Sequence, residues 1–252
     1  MSIVQRVALV TGAVGGLGRA IAERLAKAGC HVVMADIQHD VVRAATDEMN
    51  AAGLSATPLE IDVSDETSVA RGLAEVGRRF GRLDILVNNA GIPGPRLNVE
   101  AMPFEAWQKV IDVNLTGIFL MCRAAIPLIR GRGWGRIVNM SSLVARGQPG
   151  LQRSHYTASK MGIIALSRTL ADELGPEGIT VNCVAPSRIL TALTKASGAN
   201  DPKYFERAIA LTPLGRLGLP EDIANAVSWL CSDKAAAITG DVIDVNGGTS
   251  MV

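Results

Sequence analysis

Val7-Ala-Leu-Val-Thr-Gly-Ala-Val-Gly-Gly-Leu-Gly18 decides the fold class. Val7 to Val10 form a short apolar run, the pattern of a strand covered on both faces. Glycines end it, after which Leu17, Ile21 and Leu25 recur at helical spacing until Gly29 offers a C-cap. Strand, glycine-rich turn and helix in that order open a strand–helix–strand unit. Gly12, Gly16 and Gly18 let backbone approach a pyrophosphate at the helix N-terminus, where free N–H groups and the helix dipole favour anions. A turn that binds nothing is the plain alternative.

The alternation continues to the C-terminus. His31–Ala35, Ile85–Val87, Arg136–Met140, Thr180–Val184 and Val242–Val245 are strand candidates, with a weaker one near Thr57–Ile61. Ser64-Asp-Glu-Thr67 reads as a helix start with acidic residues in its first turn, and longer helices are expected over Phe104–Ile129, Tyr156–Leu174 and Pro220–Cys231. Repeated units of this kind predict a parallel, doubly wound α/β sheet. Ser187 to Pro213 is irregular, and a long connection of that sort reads as a substrate-binding loop or lid.

Asp36 closes the second strand eighteen positions after Gly18. A carboxylate there can accept hydrogen bonds from adenosine ribose hydroxyls and would repel a 2′-phosphate. Ile37, Gln38 and His39 supply no lysine or arginine to hold such a phosphate, so NAD is expected ahead of NADP. The plain alternative for Asp36 is a helix N-cap.

Composition narrows the rest. A chain of 252 residues suits one large domain. Aromatics make up 4% of it, so the core must come from small aliphatic side chains. Lysine plus arginine number 25 against 24 acidic residues, which points away from nucleic acid and from an anionic membrane. No run approaches the roughly 20 apolar residues of a membrane helix, and no signal-like segment opens the chain. Cys30, Cys122, Cys183 and Cys231 are scattered without metal-ligand spacing, so buried free thiols and no metal are expected. The protein reads as soluble and cytoplasmic.

Tyr156-Thr-Ala-Ser-Lys160 sets a tyrosine and a lysine one helical turn apart on one face. An ammonium beside a phenol favours the phenolate, so the pKa of Tyr156 should fall from about 10 towards neutrality. Such a side chain can give or take a proton. The other tyrosine, Tyr204, has no such partner. Asn114 sits in an otherwise apolar helix and needs hydrogen-bond partners. Taken singly, Lys160 could be a solvated helix lysine and Ser142 could merely finish a strand. His155 reads as exposed or pocket-lining. Arg123, Arg130, Arg132 and Arg136 read as a solvated or subunit-contact face, and Phe104, Trp107 and Phe119 as core or interface.

Together these residues resemble the short-chain dehydrogenase/reductase family in its compact form, over the whole chain. Thr11 to Gly18 matches its T-G-x-x-x-G-x-G turn, Asn88-Asn-Ala-Gly91 its N-N-A-G, and Tyr156 and Lys160 its Y-x-x-x-K. Asn114, Ser141-Ser142, Asp62-Val63, Gly215-Arg216 to Pro220-Glu221, and Asn246-Gly-Gly248 also fall at family positions. The resemblance implies one Rossmann-type sheet over 1–252 with helices on both faces, and hydride transfer between nicotinamide C4 and a carbinol or carbonyl carbon. It implies Asn114, Ser142, Tyr156 and Lys160 as catalytic residues. For the cofactor it implies Gly12, Gly16, Leu17, Gly18, Asp36, Ile37, Asp62, Val63, Asn89, Ala90, Gly91, Pro186, Ile189 and Thr191, joined by Tyr156 and Lys160. Tyr156 would be the general acid or base, Lys160 would lower its pKa and hold the nicotinamide ribose, and Ser142 would bind the substrate oxygen. Asn114 would anchor a water linking Lys160 to solvent.

Two departures from the family pattern stand out. Pro186-Ser187 replaces Pro-Gly, and serine restricts the backbone more than glycine. Ser142 precedes Tyr156 by fourteen positions, one more than expected, which keeps Ser141 as the alternative.

The resemblance also implies a homo-oligomer, usually a tetramer, with the long helices and the C-terminal segment as interfaces. For the substrate, Leu190, Leu193, Tyr204 and Phe205 offer apolar surface, while Arg153 and Lys195 could meet a carboxylate. Arg146–Ser154 and Ile92–Leu97 are the other expected walls. Asp172, Glu173 and Glu177 outweigh Arg168 on the outer helix, which argues against an acidic carrier protein. An NAD-linked dehydrogenase of a free secondary alcohol, ketone or polyol is favoured. The alternatives are an NADPH-using 3-oxoacyl-carrier-protein reductase and a non-catalytic NAD-binding regulator.

Overall fold

Strands apolar on both sides leave no face for water, so helices must cover both sides of the sheet they build. The computed structural model, described for residues 5–147, 152–191, 194 and 203–251, has that layering. Seven parallel strands stand in the order β3-β2-β1-β4-β5-β6-β7. They are β1 (Val7–Thr11), β2 (His31–Asp36), β3 (Ala56–Glu60), β4 (Ile85–Asn88), β5 (Gly135–Met140), β6 (Ile179–Pro186) and β7 (Val242–Val245). The helices are α1 (Gly16–Lys27), α2 (His39–Ala51), α3 (Glu66–Phe80), α4 (Phe104–Ile111), α5 (Gly117–Ile129), α6 (Ser154–Leu174), α7 (Tyr204–Ala210) and α8 (Pro220–Leu230). Ile21 and Leu25 of α1, Met49 of α2 and Val227 of α8 fill the core on one face; Leu73 of α3, Met121 of α5 and Ile163 of α6 fill it on the other. The chain leaves β1 for β2 and β3 on one side and returns to β4 on the other. That reversal opens a crevice at the carboxyl ends of β1 and β4, where ligands bind in open sheets of this kind.

The expected strands are all present, with ends moved by a residue or two. Helix α2 was not among the expected helices, and α7 is regular structure inside the stretch read as irregular. The long segment from Phe104 to Ile129 contains a π-helical turn at Asp112–Thr116. By length and composition that segment could cross a membrane, contrary to the sequence expectation. Its apolar residues Ile118, Met121 and Ile129 are instead part of the core. Arg136 also departs from expectation: it is buried in β5, with its guanidinium over the Trp134 ring at 4.3 Å.

All four cysteines are buried and free. Cys183 takes part in a polar row across the sheet centre, where Asn88, Asn139 and Cys183 stand opposite one another on β4, β5 and β6. Asn88 donates to Asn139 Oδ1 at 2.8 Å, and Asn139 donates to Ser167 Oγ of α6 at 2.8 Å. Cys183 Sγ reaches the same Ser167 oxygen at 3.1 Å.

Candidate active site

The glycine turn is held against the segment that follows β4. Thr11 Oγ1 accepts the N–H groups of Asn89 and Ala90, each at 3.0 Å, and Asn89 Nδ2 donates to the carbonyls of Thr11 and Gly12. Gly12 has φ +63° and faces Ala90 so closely that a Cβ would lie 3.0 Å from its Cα. At Gly18 a Cβ would lie 1.9 Å from Gly12 O. No other residue fits there, and α1 begins at Gly16 with its free N–H groups at the turn. A cavity of 530 Å³ runs from this turn to the Tyr156 helix. Of the expected residues, Gly12, Gly16, Leu17, Asn89, Ala90, Gly91, Ser142, Tyr156, Lys160, Pro186, Ile189 and Thr191 line it. Ser187 lines it too, and its hydroxyl oxygen is buried without a hydrogen-bond partner. A bare glycine turn at a helix start, open to an elongated cavity, fits a dinucleotide.

At the other end, Lys160 is buried and its Nζ donates to Met140 O at 2.7 Å. Nζ lies 5.6 Å from the centre of the Tyr156 ring. Burial lowers the Lys160 pKa to about 8. Burial also raises the pKa of Tyr156, opposed by a hydrogen bond with Ser142 and by the Arg153 charge. Against the expected fall towards neutrality, burial of the phenol outweighs the Ser142 hydrogen bond and the Arg153 charge. Ser142 is the serine bonded to the phenol, whereas Ser141 donates to the Lys160 backbone carbonyl at 3.0 Å.

Asn114 lies off the cavity wall, fully buried, in the π turn between α4 and α5. It accepts the Ile92 N–H at 2.8 Å and donates to Ile92 O at 2.9 Å and Ser159 Oγ at 3.3 Å. Both of its amide hydrogens are used, so only Oδ1 has capacity left for a water. Its visible work is to clamp Ile92, itself a cavity wall.

Asp36, Ile37, Asp62 and Val63 form a separate group at the ends of β2 and β3, joined by the Ile61 N–H to Asp36 O bond at 3.0 Å. Asp36 is buried and accepts the Gln38 N–H at 3.1 Å, while Asp62 accepts both Ser64 donors. The N-cap of α2 is Gln38, not Asp36. His155 is fully buried, contrary to expectation, with its Nε2 against Gly94. Phe104 and Phe119 are exposed, which removes them from the core. Leu193 and Lys195 lie outside the described residues.

Sequence reasoning missed Thr194, which lines the cavity and accepts the Thr191 N–H at 2.8 Å. Its spacing of three residues from Thr191 was the available signal. A larger groove of 660 Å³ lies between α2, β3 and α3, lined by charged side chains such as Arg43, Glu60 and Arg71. The glycine turn, Tyr156 and Lys160 meet at the smaller cavity, which is therefore the candidate site. Among the described residues no group of His, Cys, Asp and Glu is placed to hold a metal ion.

The chain belongs to the short-chain dehydrogenase/reductase family. Residues 12–250 match a family model described as enoyl-(acyl carrier protein) reductase. It is 40% identical to the 3-oxoacyl-[acyl-carrier-protein] reductase FabG of Escherichia coli (strain K12), over 100% of both chains. The protein of that name from Aquifex aeolicus is also 40% identical, over 96% of each chain. For Staphylococcus aureus (strain Mu50) the figure is 41%, over 97% of this chain and 98% of the relative. A solved structure described as "Crystal structure of gox2181" superposes with a TM-score of 0.92 at 35% identity, covering 97% of this chain and 95% of that one. The chain is thus an oxidoreductase of a family that binds a nicotinamide cofactor and acts on CH–OH and keto groups.

Proposed function

We propose that this protein interconverts a 3-oxoacyl and a 3-hydroxyacyl group by hydride transfer with a nicotinamide dinucleotide. One observation carries the reaction class: Ser142, Tyr156 and Lys160 line the same cavity as the glycine turn. The bound dinucleotide supplies or accepts the hydride. In reduction Tyr156 gives its proton to the substrate oxygen, and in oxidation it takes one back. A phenol whose pKa burial has raised keeps that proton at neutral pH, which suits the reductive direction. Ser142 donates to the same substrate oxygen as charge develops on it. Lys160 restores the tyrosine proton from its ammonium and holds the nicotinamide ribose. Asn114 keeps the Ile92 wall in place.

The relatives' names support the 3-oxoacyl unit over a generic alcohol or ketone. For the cofactor, Asp36 supports NAD(H), because no lysine or arginine stands among the three residues after it. The exposed acids Asp172 and Glu173, from which the sequence argued against an acidic carrier, lie roughly 24 Å along α6 from Tyr156 and so do not face a carrier docked at the cavity. The same proposal includes a homo-oligomer, supported by exposed Phe104, Phe119, Met161 and Trp229 on helix surfaces.

The test follows NADH and NADPH absorbance with a short 3-oxoacyl thioester and a panel of ketones. Tyr156→Phe should lower kcat by about 10²- to 10⁴-fold while NADH binding stays within a few-fold. Unchanged turnover overturns the mechanism. NADPH outperforming NADH overturns the role of Asp36, and Asp36→Ala should narrow the preference for NADH.

A further inference from the structure

Buried polar atoms without a hydrogen-bond partner are uncommon, because each forfeits its hydration. Seven such side-chain atoms occur among the described residues, and five of them fall in two short segments flanking the cavity. They are Arg153 Nε, Ser154 Oγ and His155 Nε2 just before Tyr156, and Ser187 Oγ and Arg188 Nη1 after β6. Arginine can only donate, so the Arg153 atom is a donor lacking an acceptor.

Arg153 is half-buried at the start of α6, three residues before Tyr156. It stands one helical turn before Tyr156 on α6, and its charge acts with those of Tyr156 and of Tyr204 at the start of α7. The Leu97 N–H donates to Gln152 O at 2.8 Å, tying the segment that carries the exposed Arg96 to the start of α6. Burial first, and then Arg96, push the Arg153 pKa down. Glu100 shares the outer recess with Arg153 and forms no ion pair with it. A partly desolvated guanidinium one helical turn from the reactive phenol, with no carboxylate against it, is one half of an ion pair.

We propose that Arg153, with Arg96 behind it, binds a carboxylate carried by the substrate within a few bonds of the reacting carbon. The 3-oxoacyl unit of the preceding reading, on which this proposal rests, is then a free oxo acid or hydroxy acid. Guanidinium and carboxylate match as two parallel hydrogen bonds. A phosphate at the far end of a carrier arm lies too many bonds from the carbonyl to reach Arg153 while that carbonyl meets Tyr156.

The experiment compares acids with their methyl esters, using full-length protein and NADH. The pairs are 2-oxobutanoate, acetoacetate and 4-oxopentanoate, each against its ester. For at least one pair, kcat/KM should favour the acid by tenfold or more. Arg153→Met should cut that acid-to-ester ratio at least about tenfold, the loss of one charge-assisted hydrogen bond. Arg153→Lys should restore part of it. Equal rates for acid and ester in the wild type, or a ratio that Arg153→Met leaves alone, overturn the proposal. If no ketone is reduced, the hydride-transfer reading falls, and calorimetric titration of NADH-loaded protein decides the anion site on its own. Acetoacetate should bind, while methyl acetoacetate should not, and Arg153→Met should abolish the difference; equal binding overturns the site.

Discussion

Replacing Lys160 with methionine probes the energetics of the site without any substrate. The ammonium is buried against Met140 O, and burial lowers its pKa from 10.5 to about 8. In the unfolded chain the same lysine titrates near 10.5. Between those values the unfolded chain binds more protons than the folded one, so this lysine makes wild-type stability rise with pH. Below pH 8 the full cost of the buried charge is present, roughly 3 kcal/mol at about 1.36 kcal/mol per pH unit. About 1.3 kcal/mol of it is relieved between pH 7 and pH 9. Buried thiols act the other way above pH 9, with Cys122 raised to about 12 and Cys183 to about 11. They are present in both proteins and nearly cancel in the difference. Urea unfolding of wild type and Lys160→Met at pH 7 and pH 9, at one protein concentration, gives the comparison. The variant's stability relative to wild type should fall by about 1.3 kcal/mol between the two pH values. A constant difference would remove burial as the cause of the shift. A difference moving in the opposite direction would mean that an anion pairs with Lys160 in the folded protein.

The two serines should separate cleanly. Ser142→Ala should lower kcat by about 10²-fold with little change in stability, whereas Ser141→Ala should cost about 1 kcal/mol of stability through its lost bond to Lys160 O. The reverse pattern, read from steady-state kinetics and urea unfolding, would exchange their roles. Gly18→Ala puts a Cβ where Gly12 O stands, so the turn must open by an ångström or more. Stability should drop by about 1–3 kcal/mol and NADH affinity by tenfold or more, as followed by NADH fluorescence. Unaltered affinity would refute the close-approach argument for that glycine.

Local pattern carried most of the fold. Val7–Val10 and its sister strands are short and apolar enough to read alone, and Asp65 caps α3 where Ser64-Asp-Glu-Thr67 suggested a helix start. Helix α2 was harder, because its buried face of Val42, Ala45, Thr46 and Met49 is a faint apolar stripe. The π turn at Asp112–Thr116 leaves no mark in periodicity over so apolar a segment. At the site, the nearness of Tyr156 and Lys160 was legible, but their electrostatics were not. Spacing showed a phenol near an ammonium, while the direction of each shift depends on burial that only tertiary packing supplies. That Ser141, and not Ser142, donates to the α6 backbone likewise depends on packing that spacing does not show.

The row of Asn88, Asn139 and Ser167 bears on how the sheet assembles. A parallel sheet of valine, isoleucine and alanine offers many near-equivalent alignments, since sliding a strand by two residues keeps every side chain on its original face. Sliding β5 by two along β4 would set Ile137 or Ser141 opposite Asn88 in place of Asn139. The buried amides would then face hydrocarbon or a mismatched hydroxyl, at about 1–3 kcal/mol for each orphaned group. The asparagines thus act as an alignment key, penalising misthreaded intermediates that hydrophobic packing alone would tolerate.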